Sequence, residues 1–551
     1  MQIIQISCRT LLLCLGAAGL LILSGCGPEK KPIPPDLEAY VDLNTTVGTL
    51  VQLLQYNAVP VRGFGVVAGL NGTGSAECPP ALRAELERYI RQQLPKTDDL
   101  NPRKFLDSSD TAVVEINGVI PALARQGQTF DVQVTPISRT QTTSLDGGYL
   151  YTALLKERSI YMRYDQYART FATAQGQLFR DTLDTQNSAS WYLLGGGIVQ
   201  NEVQLTMALY QPNFRAANAI RNRINERFGS GVAQAISAAE VRITIPPRFQ
   251  HQKDRFIRML QLLYLSDDSA LRQQYIEKLL QELQNPANAT NAEIGLESIG
   301  KSVIDSLYPL LSSQNQDLRF HVARCMLNIG DDRALPVLEP FCKNTTSPYC
   351  LPAIEAVGQA TKPRKAEPIL LRAVESVDLK VRLAAYNQLD LMKSPSISRN
   401  LVADSFLIDR VFCGGPPMIY VYRSEFPKIV LFASPIQCSP DIFLLSDDGN
   451  VTLNAKPGDK YVSISRKHPS RPRVIGPIHA GRELSMLIRA MGENADLKRY
   501  PGVQPGLSLP YQDIIRILKK MSDSGAVQAG FQQGPMSDAG AFLENLTPKD
   551  R

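Results

Sequence analysis

The stretch "GFGVVAGLNGTG", residues 63–74, holds five glycines in twelve positions, a density that suits either a phosphate cradle or a closely packed strand and turn. A dinucleotide fingerprint needs G-x-G-x-x-G, but after Gly63 and Gly65 the third glycine comes one place late, at Gly69. A phosphate-binding loop needs Gly-Lys-Ser/Thr, and "LNGTGSAEC" contains no lysine. Nucleotide chemistry is therefore set aside. With period two, Phe64, Val66, Ala68 and Leu70 point one way and Gly65, Val67 and Gly69 the other. The stretch reads as a strand with one nearly bare face, open to close approach, that runs into an Asn71-Gly72 turn.

The other chemistry-bearing residue types are dispersed. His251, His321, His468 and His479 lack metal-ligand spacing, and no C-x-x-C pair exists. Asp267-Asp268, Asp331-Asp332 and Asp447-Asp448 sit beside turn residues, where solvated loops account for them better than paired acid/base work does. No catalytic residue, cofactor or metal site is expected, and the chain reads as a non-enzyme.

Cysteine is more informative. Arg9 precedes an apolar run, "LLLCLGAAGLLIL", short for a membrane span and suited to a signal-peptide core. It ends in Leu23-Ser24-Gly25-Cys26, the pattern of a bacterial lipobox, so residues 1–25 read as a lipoprotein signal peptide and Cys26 as the lipid attachment site. Residues 26–40, rich in proline and charge, read as a tether, and Gly27 after the cysteine points to the outer membrane. Apart from Cys8, Cys14 and Cys26, six cysteines remain, an even number that permits disulfides in an oxidising compartment. Cys342 and Cys350 close the shortest loop, and Cys413 and Cys438 flank segments that could pair as neighbouring strands. Those two bridges are expected, with Cys78 and Cys325 free or buried.

The elements that must position these residues follow from periodicity. At 551 residues the chain should hold several domains, and a net charge of +6 over that length makes no nucleic-acid footprint. From residue 41 to 265 strand-like and helix-like segments alternate: "TAVVEINGVI", "TFDVQVTPIS" and "NEVQLTMALY" as strands, then "FRAANAIRNRINERFG" as a helix. Phe214, Ala217, Ile220, Ile224 and Phe228 share that helix's apolar face, and Gly229 stops it. From 266 to 398 helices dominate. Ile299-Gly300, Ile329-Gly330 and Val357-Gly358 recur about thirty residues apart, each between two apolar helices, the pattern of HEAT-like repeats. Strands return over 399–531, with a last helix in "YQDIIRILKKM", and 532–551 reads as a tail. The fold class is α+β, with the helical block set as an insertion that a short linker could replace and that offers a docking surface for an additional protein partner.

Four co-linear segments carry a family resemblance. "VRGFGVVAGLNGTG", "DTAVVEINGVIPALARQGQTFDVQVTPISRTQTTSLDGGYLYTALLK", "GGGIVQNEVQLTMALYQPNFRAANAIRNRIN" and "YQDIIRILKKMSDSGAVQAGF" are similar to signatures of the flagellar P-ring protein family. The match covers roughly residues 41–265 and, more weakly, 412–531. It implies mixed β/α modules resembling the P-ring protein, interrupted by an α-helical HEAT-like solenoid. It also implies a structural subunit that assembles with itself into a periplasmic ring around the flagellar rod, with rod and L-ring proteins as partners. The lipobox and the repeats depart from the family. The alternative is therefore a lipid-anchored envelope scaffold that binds other proteins through its helical repeats.

Overall fold

The computed structural model describes residues 45–54, 57–93, 101–157, 169–183, 190–266, 268–467, 474–494 and 506–536. Cys26, the signal peptide and tether, His468, Asp267 and the end of the tail lie outside the described residues.

Six antiparallel strands close on themselves. Val59–Ala68 pairs with Thr111–Ile120, which pairs with Thr129–Pro136, then Trp191–Val199, Thr170–Gln177 and Tyr149–Glu157, which returns to Val59–Ala68. Closure leaves the barrel without an unpaired strand edge. Its interior is narrow and filled by Val61, Val67, Ile116, Val132, Leu155 and Ala174, all fully buried. This explains the glycines. A Cβ on Gly65 would lie 2.9 Å from the Ala153 Cβ and 3.1 Å from Ile116 Cδ1, and one on Gly63 would lie 2.3 Å from the Leu154 carbonyl oxygen. On the outside, Phe64, Val66 and Val113 pack under Leu82 and Leu86 of the helix Pro80–Gln93. Asn71 and Gly72 take positive φ in the turn that follows.

The barrel is threaded into a smaller α/β unit. Val51–Leu54, which precedes the barrel, pairs with Leu205–Leu209, which follows it, and Glu240–Ile243 and Ala233–Ala235 complete an antiparallel sheet. Helices Phe214–Phe228 and Lys253–Gln261 cover one face through Ala217, Ile220, Ile224, Phe256 and Leu260. Asn213 caps the first of these, accepting from the N–H groups of Arg215 and Ala216. The expected apolar face holds except at its start, where Phe214 is 67% exposed.

Helices then follow one another as Ser269–Glu282, Ala289–Ile299, Gln316–Ile329, Leu335–Lys343, Cys350–Val357, Pro363–Val374 and Leu379–Leu391, with short helical turns over residues 301–312. Asp268, Asn315 and Asp378 cap three of them. The three glycines of the repeat serve two purposes. Gly300 and Gly330 end helices at positive φ, whereas Gly358 keeps helical φ and lies against Gln388, whose Oε1 would be 2.0 Å from a Cβ there.

The last region has two sheets. Ile397–Val402, Phe406–Val411, Lys428–Phe432, Met418–Arg423 and Gly530–Met536 form one, in that order, and Ile442–Leu445, Val451–Ala455, Tyr461–Lys467 and Val474–Gly481 the other. Ile419, Val421, Ile429 and Leu431 of the five-stranded sheet share a core with the helices Leu484–Gly492 and Tyr511–Asp523. The alternate residues Val411, Tyr420, Val430 and Phe432 are buried in the core of the helical stack. The helices bury Val411, Tyr420, Val430 and Phe432 on one face of this sheet, which argues against the expectation of a removable insertion. Arg382, 1% exposed, donates to the Ser376 and Pro416 carbonyls and lies over the Phe432 ring, while Tyr386 donates to the buried Asp409 at 2.5 Å.

Replacing residues 266–398 with a short Gly/Ser linker would bare that face, so the product should lose cooperative unfolding and be digested under conditions where the full chain survives. Limited proteolysis and urea unfolding check this. Protease resistance equal to that of the full chain would show that the sheet needs no cover.

Candidate functional site: the joints between the parts

The polar chemistry of the molecule gathers where its parts meet. On the helix Ala289–Ile299, Glu293 and Glu297 are one turn apart and both buried, on the side facing the α/β unit. Arg255 of Lys253–Gln261 donates to both carboxylates, reaching Glu297 Oε2 at 2.8 Å. From the next helix, Arg324 grips Glu293 with two hydrogen bonds of 2.6 Å, His321 Nδ1 lies 2.6 Å from Glu293 Oε2, and Asn328 donates to Glu297 at 2.8 Å. Arg227, at the end of Phe214–Phe228, donates to the Ser298 and Glu297 carbonyls at 2.8 and 2.7 Å and so caps the helix that ends at Ile299. Its guanidinium occupies the space beside Gly300. Tyr264 stacks on Tyr275 beside this network, with ring centroids 4.7 Å apart.

Two carboxylates here pair with the guanidiniums of Arg255 and Arg324, and Arg227 adds a third positive charge at the helix end. Burial alone would raise the Glu293 carboxyl, but Arg255, Arg324 and the His321 hydrogen bond outweigh it and hold the group well below the usual carboxylate range. Burial pushes Glu297 the other way, because Arg255 and Asn328 oppose it less strongly.

Further joints tie in the barrel. Asp131 accepts from the Gly195 N–H at 2.6 Å and from the Glu425 N–H at 2.9 Å, bridging the barrel to the last region. Gly195 has φ +63°, and its missing Cβ lets the Phe426 backbone approach. Arg423, buried, pairs with buried Asp181 at 2.6 Å, and Phe179 packs against Tyr511. Tyr192 and Leu194 of the barrel wall enter the same core. Between barrel and α/β unit, Lys253 donates to the Leu123 carbonyl and Arg125 to that of Ile245. With the helices covering the five-stranded sheet, the contacts form a closed circuit: barrel, α/β unit, helical stack, last region, barrel.

The residues singled out by sequence are not brought into one place. Cys78, Cys325, Cys342, Cys350, Cys413 and Cys438 are all free thiols. Cys413 packs against the helical-stack core and Cys438 lies in the core on the other face of the five-stranded sheet, so this expected bridge is corrected: the sheet stands between the two thiols. Cys342 and Cys350 lie side by side, unbonded, with Cys350 Sγ donating to the Cys342 carbonyl at 3.4 Å. His251 and His479 are exposed, while His321 belongs to the joint. Among the described residues no group of three His, Cys, Asp or Glu could hold a metal ion. Sequence reasoning missed Glu293 and Glu297, although two glutamates spaced four apart on the apolar side of "ATNAEIGLESI" were a readable sign of a buried charge site.

Breaking a buried pair leaves an uncompensated charge, so Glu293→Gln should destabilise the protein by about 3–5 kcal/mol at neutral pH. The folded-state pKa of Glu293 is depressed, so its stabilisation is fully present above the unfolded value of about 4.5 and is lost as pH falls below it. The gap between wild type and variant should therefore narrow below about pH 4.5. Urea unfolding across pH checks both statements, and a gap that widens in acid would contradict them.

Comparison with known proteins bears on the first two parts. Residues 47–273 match the family model described as flagellar P-ring protein. The flagellar P-ring protein of Thermotoga maritima is 29% identical over 227 residues, 38% of this chain and 63% of that protein. That of Helicobacter pylori strain G27 is 24% identical over 332 residues, 57% of this chain and 87% of that protein. The chain thus spans 63% of the length of the Thermotoga relative. Among solved structures, the complex of CpcE and CpcF of phycocyanin lyase from Nostoc sp. PCC7120 aligns with 22% of this chain and 79% of its own at 24% identity, with a TM-score of 0.20, too low to carry an argument. The closed barrel and the α/β unit that holds it, within residues 47–273, match the flagellar P-ring protein family, as the strand-and-turn signatures implied.

Proposed function

We propose that this protein is a structural, non-catalytic subunit of a periplasmic ring that resembles the flagellar P-ring, surrounding the rod and held to the outer membrane by a lipid on Cys26. The observation that carries the reading is the family match over the barrel and α/β unit. The closed circuit of joints supports it mechanically. A bushing around a turning shaft must keep its shape under load, and a subunit whose parts each contact two others has no single hinge about which to bend. Copies in head-to-tail contact make a ring when the rotation between them closes. The partners on this reading are further copies of the chain, the rod and the L-ring.

A second reading, an envelope scaffold that recruits proteins through HEAT-like repeats, is favoured by one feature. A groove of about 620 Å³ runs between the helices Leu335–Lys343 and Pro363–Val374 of the stack, lined by Arg333, Lys362, Lys365, Arg372, Pro336 and Pro368. Such a groove has room for an extended segment of a partner.

Deleting the gene should abolish swimming, and the fluorescently labelled protein should co-purify with basal bodies as a ring. Normal motility in the deletion strain would exclude the ring reading and leave the scaffold. Separately, Cys26→Ala should abolish palmitate labelling and release the protein from membranes. Labelling that persists in the variant would place the lipid elsewhere.

A further inference from the structure

The helical stack contains a pair of thiols that the ring reading does not use. Cys342 lies in the last turn of Leu335–Lys343 and Cys350 opens Cys350–Val357, with a tight turn between them held by the Ser347 N–H on the Asn344 carbonyl and the Cys350 N–H on the Ser347 carbonyl. Both side chains belong to one core, at 3% and 1% exposure. Cys350 Sγ sits 3.4 Å from the backbone oxygen of residue 342, so the sulfur of one residue already touches the main chain of the other. A disulfide needs Cα atoms within about 7 Å, and the contact of the Cys350 sulfur with the Cys342 carbonyl places the two residues next to each other.

The two thiols differ in access. Cys342 lines a cavity of about 210 Å³ with Lys343, Thr345, Arg372 and Ser376 around it, and Cys350 is not part of that lining. Burial pushes the Cys342 thiol up to about 12, with Cys350 and Glu339 adding to it, so the pair is stable as thiols and slow to react.

We propose that Cys342 and Cys350 are a dithiol that a small disulfide oxidant converts to an intramolecular disulfide, with Cys342 attacking from the cavity and Cys350 resolving. In the first step Cys342 Sγ, as thiolate, attacks one sulfur of the oxidant, forming a mixed disulfide and expelling one thiolate. In the second, Cys350 Sγ attacks Cys342 Sγ, forming the intramolecular bond and expelling the other half of the oxidant. Two electrons pass from the dithiol to the oxidant, and the two protein thiol protons end on the two released thiols. The bond would tie together the ends of two successive helices that residues 344–349 link, beside the groove described above.

The test uses the full-length protein and oxidised glutathione. After incubation, alkylation in denaturant and tryptic cleavage, which cuts after Lys343, the peptides bearing Cys342 and Cys350 should run as one linked species that separates on reduction. Alkylation of both cysteines in the oxidised wild type, without prior reduction, would overturn the proposal. The order of attack is read from two variants. Cys350→Ser should trap glutathione on Cys342, and Cys342→Ser should take up at least about tenfold less on Cys350, since exchange follows access to the sulfur. Equal or greater uptake at Cys350 would overturn the assigned roles. The wild-type mapping stands even if a variant fails to fold.

Discussion

The five-stranded sheet of the last region is apolar on both faces, and that constraint organises the rest of the molecule. Ile419, Val421, Ile429 and Leu431 need one cover, and Val411, Tyr420, Val430 and Phe432 need another. The helix Tyr511–Asp523 supplies the first and the helical stack the second. Since burial is favourable by about 25 cal/mol for each Å² of apolar surface, neither cover is dispensable in a fold whose net stability is small. A stack held to the sheet in this way has a fixed position. The stack meets the α/β unit through Ile294 and the ionic joint.

That joint is built differently from the sheet contact, and its physics gives it a different role. Taking Glu293, Glu297, Arg255 and Arg324 out of water costs several kcal/mol per ion, which their attraction offsets only in good geometry. Such a cluster adds little net stability compared with an apolar contact. It does penalise every arrangement in which one partner is missing. The helix cap made by Arg227 acts in the same sense, since the carbonyls of Glu297 and Ser298 are satisfied only when the α/β unit is in register. The apolar sheet contact holds the parts together, and the ionic joint sets how they are aligned.

Closing the circuit through Asp131, Asp181 and Arg423 makes these constraints mutually dependent. A displacement at the barrel must be met by one at the last region, and through the stack by one at the α/β unit. The helical stack is thereby a brace between the α/β unit and the last region.

Much of the local structure was legible in the sequence. The spacing of Ala217, Ile220 and Ile224 and the stop at Gly229 specified a helix that spans Phe214–Phe228, and alternation in "TAVVEINGVI" specified the strand Thr111–Ile120. The bare face of residues 63–69 announced a close neighbour, which the narrow barrel supplies. Periodicity records which face of an element is apolar, because each residue's side depends only on its own position along the backbone. It does not record what covers that face. The pairing of Thr129–Pro136 with Trp191–Val199 that closes the barrel, the separation of Cys413 from Cys438 by a sheet, and the meeting of Glu293 with Arg255 and Arg324 all join residues distant in sequence. Only tertiary packing decided them, since their energy exists only when both partners have left water together.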